Sequence, residues 1–268
     1  MTTSCLVFLG IALALYLSAS LAFQGHLWLG HHAWERWGRR GLQTGVALHA
    51  LGLLLHVLFA PPPWLANMTF LISLVVIAFA AAGLLLERFT PLRHFNLVLA
   101  PLAFLGTLYP LLMPVRFEES ASILLRYPWL GTHVLTTLLG QVGFALSFCA
   151  AAAYLLQSRA LKRGRLNRFL PALDTSAHVA FHAAAWGFFL FSMGLAMGAA
   201  WMFGAPGESL RALDPKILLA LPTWGAFAAY LYLRGVRGRH GSRLKWLVIA
   251  GFTVGLVNYL VVPHQFAG

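Results

Sequence analysis

Two histidines, His133 and His264, are the residues of this sequence whose type and position best suit chemistry. His133 opens an apolar run in "WLGTHVLTTLLGQVGFA", and His264 closes the last such run in "LVVPHQFAG". Two neutral imidazoles that project toward each other from separate helices are what bis-histidine ligation of haem iron needs. The alternative is that each is an interfacial histidine, hydrogen-bonded to lipid headgroups.

Four further histidines lie inside apolar runs, where an imidazole is costly unless it is paired or bound to a metal. They form two pairs, His49 with His56 and His178 with His182, and the spacings of seven and four place each pair on one helix face. His49 and His182 are expected at comparable depth, which suits ligation of a second haem iron. Hydrogen bonding across the bundle is the competing explanation. Solvent or headgroup contact is expected for the five histidines in or beside basic loops, namely His26, His31, His32, His94 and His240.

The composition places these histidines in a membrane protein. Of the 268 residues, 60% are apolar and only 10% are charged, whereas about a quarter of the residues in a soluble domain are charged. The predicted fold is all-α, a polytopic membrane helix bundle with eight transmembrane helices in a single integral membrane domain, 1–268. Each span has the roughly 20 apolar residues that a bilayer requires; the spans lie near 4–23, 41–60, 66–86, 96–115, 132–157, 177–204, 216–234 and 244–263.

The basic residues predict the orientation of this bundle. Of the 19 Lys and Arg residues, 15 fall in the odd-numbered loops, and the remaining four fall on the other side. Cytoplasmic loops retain such residues, so both termini are expected to be extracytoplasmic, and His133 and His264 then share the outer face. The positive charge is read as an orientation signal, so membrane lipid is an expected partner and nucleic acid is not.

The sequence shows no pattern typical of catalysis by this chain alone. There is no Ser-His-Asp arrangement, no P-loop and no carboxylate pair within a span, so an enzymatic role is not expected. The cysteines, Cys5 and Cys149, lie far apart in apolar runs and form no CxxCH haem-attachment site. Any haem bound by the chain is therefore expected to be b-type and non-covalent.

Three stretches of the second half carry a family resemblance: "YLLQSRALKRGRLNRFLPALD", "GFFLFSMGLAMGAAW" and the segment that begins "LDPKILLALPTWG" and ends "VGLVNYL". They resemble the cytochrome c assembly family, the haem-handling membrane proteins that include CcsA, HemX and CcmC. The resemblance covers roughly residues 130–264, and it extends to the first half only in the layout of spans. In that family, a histidine at the outer start of one span and another beyond the last span hold haem for transfer. His133 and His264 occupy those two positions.

The resemblance implies a haem-binding membrane protein that handles or transfers haem for cytochrome maturation. It also implies that Trp201 and Trp224 pack the porphyrin ring, and that Lys216 pairs with a propionate, for which lysine is a suitable point charge. The implied partners are haem and other cytochrome assembly or respiratory membrane proteins. The implied location is the bacterial inner membrane.

The sequence also departs from the family pattern. The stretch "WMFGAPGESLRALDPKI" keeps Trp201 and Lys216 but lacks the other tryptophans of the family's outer loop, and Tyr232 stands where the family has an intramembrane histidine. With these departures the chain resembles a HemX-like branch of the family, whose members accompany haem synthesis or assembly without ligating haem to a cytochrome. The alternative function is a non-catalytic membrane scaffold, or a b-type haem anchor subunit of an electron-transfer complex.

Overall fold

A computed structural model describes residues 2–62, 64, 67–90, 95–112, 128–164, 170–204 and 215–261. Within these ranges the regular elements are all helical, and the predicted all-α fold is confirmed. A short π-helical segment, Tyr232–Val236, continues the seventh helix. The α-helices are α1 (Thr3–Leu29), α2 (His32–Phe59), α3 (Met68–Phe89), α4 (Asn96–Leu112), α5 (Pro128–Lys162), α6 (Leu173–Gly204), α7 (Pro215–Leu231) and α8 (Ser242–Val261).

The lengths of these helices suit a membrane. Among the described residues, seven helices are long and apolar enough to cross a bilayer. The remaining one, α4, is a shorter apolar helix of 17 residues. The chain is therefore a multi-pass membrane helix bundle, as its composition predicts. The orientation of the termini stays a prediction.

Helices α1 and α2 extend beyond their predicted spans, which end near 23 and begin near 41. Helix α1 continues to Leu29 and α2 begins at His32, so only two residues connect them. Gly30 makes this turn possible because its φ of 71° is left-handed, and its N–H donates to the carbonyl of His26 at 2.9 Å. The bounds of the membrane spans stay a prediction; the helices continue past them because charge disfavours membrane insertion but does not stop a helix that has reached the headgroup region.

The internal contacts of the chain divide it into two compact units. Unit 1 contains α1 to α4, and unit 2 contains α5 to α8. That the chain is a single integral membrane domain stays a prediction.

In unit 1, glycines on α2 let α1 approach closely. A Cβ atom at Gly45 would lie 2.8 Å from Cε1 of Tyr16, and a Cβ at Gly52 would lie 2.8 Å from the Cβ of Phe8. Small residues at such contacts are typical of helix packing in membranes. The close approach buries His49 completely, beside Tyr16.

In unit 2, a similar glycine contact joins α5 and α6. A Cβ at Gly143 would lie 2.6 Å from the Cα of Gly187, and the Ser147 hydroxyl donates to the carbonyl of Ala180 at 2.7 Å. The two helices run antiparallel, so the start of α5 packs against the end of α6. His133 lies at that end of the pair.

Lys245 is one of the 15 basic residues counted in the odd-numbered loops, but its side chain is buried. Helix α8 begins at Ser242, and the Lys245 side chain is 2% exposed. Its ammonium group donates to the Tyr230 hydroxyl at 3.1 Å and lies 5.2 Å from the ring centroids of Tyr154 and Tyr230. The hydroxyl and the two aromatic faces stabilise a cation that has left water.

Candidate functional site

His133 is held on α5 by a contact with α6. Its Nδ1 lies 2.6 Å from the carbonyl oxygen of Gly194. A carbonyl oxygen can only accept a hydrogen bond, so Nδ1 carries the proton and donates. The lone pair that can coordinate a metal is then on Nε2. A histidine that ligates a metal almost always donates its other ring N–H in this way, which sets both the tautomer and the orientation of the ring.

The ring of His133 also lies directly on the backbone of α6. A Cβ atom at Gly198 would lie 2.7 Å from Cε1 and 3.1 Å from Nδ1 of His133. Gly194 and Gly198 thus supply a hydrogen-bond acceptor and a flat contact surface for one imidazole. Neither glycine is among the predicted site residues. The signal was present, because "GLAMG" is a G-x-x-x-G motif, which is typical of close helix contacts in membranes.

Trp201 follows the two glycines on the same face of α6. It is seven positions after Gly194, and seven residues of α-helix rotate to within about 20° of two full turns around the helix axis. It lies about 4.5 Å beyond Gly198 along the helix axis. Trp201 is therefore on the side of α6 that contacts His133. Its packing against a porphyrin ring stays a prediction.

Trp224 packs against another face of α6. Its Nε1 donates to the Ser192 hydroxyl at 2.9 Å, and its ring lies 5.3 Å from that of Phe188. Ser192 and Gly194 differ by two residues, so they point about 160° apart around the helix. The contact with Ser192 does not bring Trp224 to His133. Packing of Trp224 against a porphyrin held by His133 stays a prediction.

Several predicted residues lie outside the described part of the chain. These are His264, His94, the segment 205–214 and the side chain of Lys216. The predicted approach of His264 to His133 therefore stays a prediction, as does the pairing of Lys216 with a propionate.

The two histidines assigned to a second haem lie in different units. In unit 1, Nδ1 of the buried His49 lies 3.3 Å from the Tyr16 hydroxyl, and its Nε2 has no hydrogen-bond partner among the described residues. In unit 2, Nδ1 of the exposed His182 donates to the carbonyl of His178 at 2.9 Å, which places its lone pair on Nε2. Each ring alone suits ligation, and their pairing stays a prediction.

The residues described at His133 fit a ligand of haem iron. The ring has one defined tautomer, it is held between two helices, and an indole lies on the same face of the neighbouring helix. Cys5 and Cys149 are both free and buried in helices, so they are not placed for covalent attachment of a porphyrin. Non-covalent binding of haem stays a prediction.

Comparison with known proteins identifies the family. The cytochrome C assembly protein family matches residues 64–266. The cytochrome c biogenesis protein CcsA of Guillardia theta is 28% identical over 202 residues, which cover 68% of this chain and 67% of that protein. Protein HemX of Brevibacillus brevis is 30% identical over 163 residues, 59% of each chain.

A third relative, CcsA of a Picosynechococcus species, is 40% identical over 95 residues, but the match spans only 28% of that protein's length. No solved structure matches the chain. The family match covers three quarters of the sequence and includes His133, Trp201 and the packed helices of unit 2. The chain belongs to the cytochrome c assembly protein family.

Proposed function

We propose that this chain binds haem and handles or transfers it during cytochrome c maturation. The relatives named as cytochrome c biogenesis proteins support this role. We further propose that the chain acts in the bacterial inner membrane, alongside other cytochrome assembly proteins, and that it catalyses no reaction by itself. Its multi-pass helical architecture is consistent with that setting.

The hydrogen bond from His133 to Gly194 is the observation that carries this proposal. It directs Nε2 of His133 as an iron ligand, and the glycines of α6 keep the ring from turning. Haem supplies the iron and the porphyrin that an acceptor cytochrome requires. His264 would serve as the second iron ligand, and Trp201 would pack against the porphyrin. The ligation would be non-covalent and b-type.

The proposal is tested by the visible spectrum of the purified protein, measured as reduced minus oxidised. The wild type should take up haem at partial, exchangeable occupancy, and His133→Ala should lose it. His240→Ala is the matched control, because His240 is in the same unit and its Nδ1 also bonds a backbone carbonyl, that of Gly238 at 2.5 Å. It is exposed in the connection between α7 and α8, and its loss should leave the spectrum unchanged.

Three other outcomes would overturn this proposal. Firmly bound, low-spin haem that does not exchange would indicate the anchor subunit of an electron-transfer complex. Absence of haem from the wild type would indicate a scaffold. Equal haem loss in His133→Ala and His240→Ala would show that the effect does not arise from ligation at His133.

A further inference from the structure

A second cluster of metal-ligand residues lies in unit 1, where α1 meets α2. One ring nitrogen of His26, one of His32 and one carboxylate oxygen of Glu35 all lie within 4.8 Å of one another. His26 lies in the last turn of α1, whereas His32 and Glu35 are in the first turn of α2. The two-residue turn at Gly30 thus brings Glu35 to two histidines that were predicted to contact solvent or headgroups. We propose that these three side chains form a binding site for a divalent transition metal ion, with zinc as the reference ion.

The tautomer of His26 argues for a cation in this cluster. Nδ1 of His26 lies 2.9 Å from the carbonyl oxygen of His31, so this nitrogen donates. Nε2 then faces Oε2 of Glu35 at 3.8 Å. In the neutral ring, these two atoms are both hydrogen-bond acceptors, and their lone pairs repel unless a proton or a metal ion lies between them. His26 is 3% exposed, so water has little access to the gap from that side.

Glu35 is held so that one oxygen is directed at the histidines. Its Oε1 accepts from Arg39 at 3.4 Å, and the other oxygen, Oε2, lies 3.8 Å from both His26 Nε2 and His32 Nδ1. Arg39 also donates to Glu87 on α3 at 3.0 Å, and the Asn96 amide donates to the same carboxylate. Outer contacts of this kind orient a ligating carboxylate.

The donor set selects the kind of metal. Two imidazoles and one carboxylate suit zinc and other late first-row ions, whereas magnesium and calcium prefer oxygen ligands alone. Tetrahedral zinc, with bonds of about 2.1 Å, needs donors separated by about 3.4 Å. Two of the separations here are 3.8 Å. His32 is 88% exposed, so its ring can move into the shorter distance that zinc requires without repacking of the core.

The test is a titration of the full-length chain, purified in detergent with an affinity tag that contains no histidine. Isothermal titration calorimetry should show one zinc ion per chain, and cobalt should give a visible absorption band at the same stoichiometry. Glu35→Gln and His32→Ala should each weaken zinc binding by at least about tenfold. Magnesium should neither bind nor compete.

His31→Ala is the matched control, because His31 lies in the same turn but contributes only its backbone carbonyl to the cluster. It should bind zinc as the wild type does. His32→Ala removes an exposed side chain, so its size-exclusion profile should match the wild type even if Glu35→Gln disturbs packing. The proposal is overturned if the wild type binds no zinc, or if His32→Ala and His31→Ala both bind it with wild-type affinity.

Discussion

The substitution Gly198→Ala should weaken haem binding without removing any ligand. The new Cβ atom would lie 2.7 Å from Cε1 of His133, whereas carbon atoms in contact prefer about 3.5–4.0 Å. The imidazole must therefore move by about 0.8 Å or more. A shift of that size along the 2.6 Å bond to Gly194 would carry it beyond the roughly 3.2 Å limit of a good hydrogen bond.

The expected loss is about 10- to 100-fold in haem affinity, the usual effect of losing an outer contact that orients a metal-ligating histidine. This corresponds to roughly 1.4–2.7 kcal/mol, because each tenfold change is about 1.4 kcal/mol. The assay is a titration of haem into the haem-free protein, followed by the Soret absorption. The affinity of His133→Ala for haem is the reference value for binding without this ligand.

Gly225→Ala is the matched control for this substitution. A Cβ atom at Gly225, in α7 of the same unit, meets nothing within 4 Å. Both substitutions gain the same helix propensity, up to about 1 kcal/mol, so their difference isolates the contact with His133. The reasoning is refuted if Gly198→Ala binds haem as tightly as Gly225→Ala while His133→Ala does not.

Three further predictions concern the rest of the chain. A reporter that is active only outside the cytoplasm should be active when fused after Gly268, because the basic loops predict an outer C-terminus; a cytoplasmic signal would contradict that orientation. Tyr230→Phe should lower the free energy of unfolding by about 1–3 kcal/mol, since the buried ammonium of Lys245 loses its hydroxyl acceptor. Adding Lys245→Met to this variant should recover most of the lost free energy, as measured by denaturant unfolding. If Tyr230→Phe alone is as stable as the wild type, the Tyr230 hydroxyl does not contribute to stability. His49→Ala and His182→Ala should each remove one component of the haem spectrum. Unchanged spectra in both variants would indicate that these residues only form hydrogen bonds within the bundle.

The positions of the helices could be predicted from the sequence, because an apolar run of about 20 residues has few alternatives to a membrane helix. The ends of the helices could not be predicted in this way. Helices α1 and α2 continue through charged residues to a turn of two residues. The hydropathy of the runs marks where the hydrocarbon core stops, whereas Gly30 marks where the backbone turns.

The sequence by itself determined the class of this protein and its family, since these follow from composition and from motifs read along the chain, and it singled out His133 as a predicted ligand. Tertiary structure decided which nitrogen of His133 can coordinate iron, because the carbonyl that sets its tautomer belongs to Gly194, 61 residues away. It also brought His26 to Glu35 across the α1–α2 turn. Such contacts depend on the register in which two helices pack, and a G-x-x-x-G motif indicates a close helix contact without specifying which helix packs there or in which register.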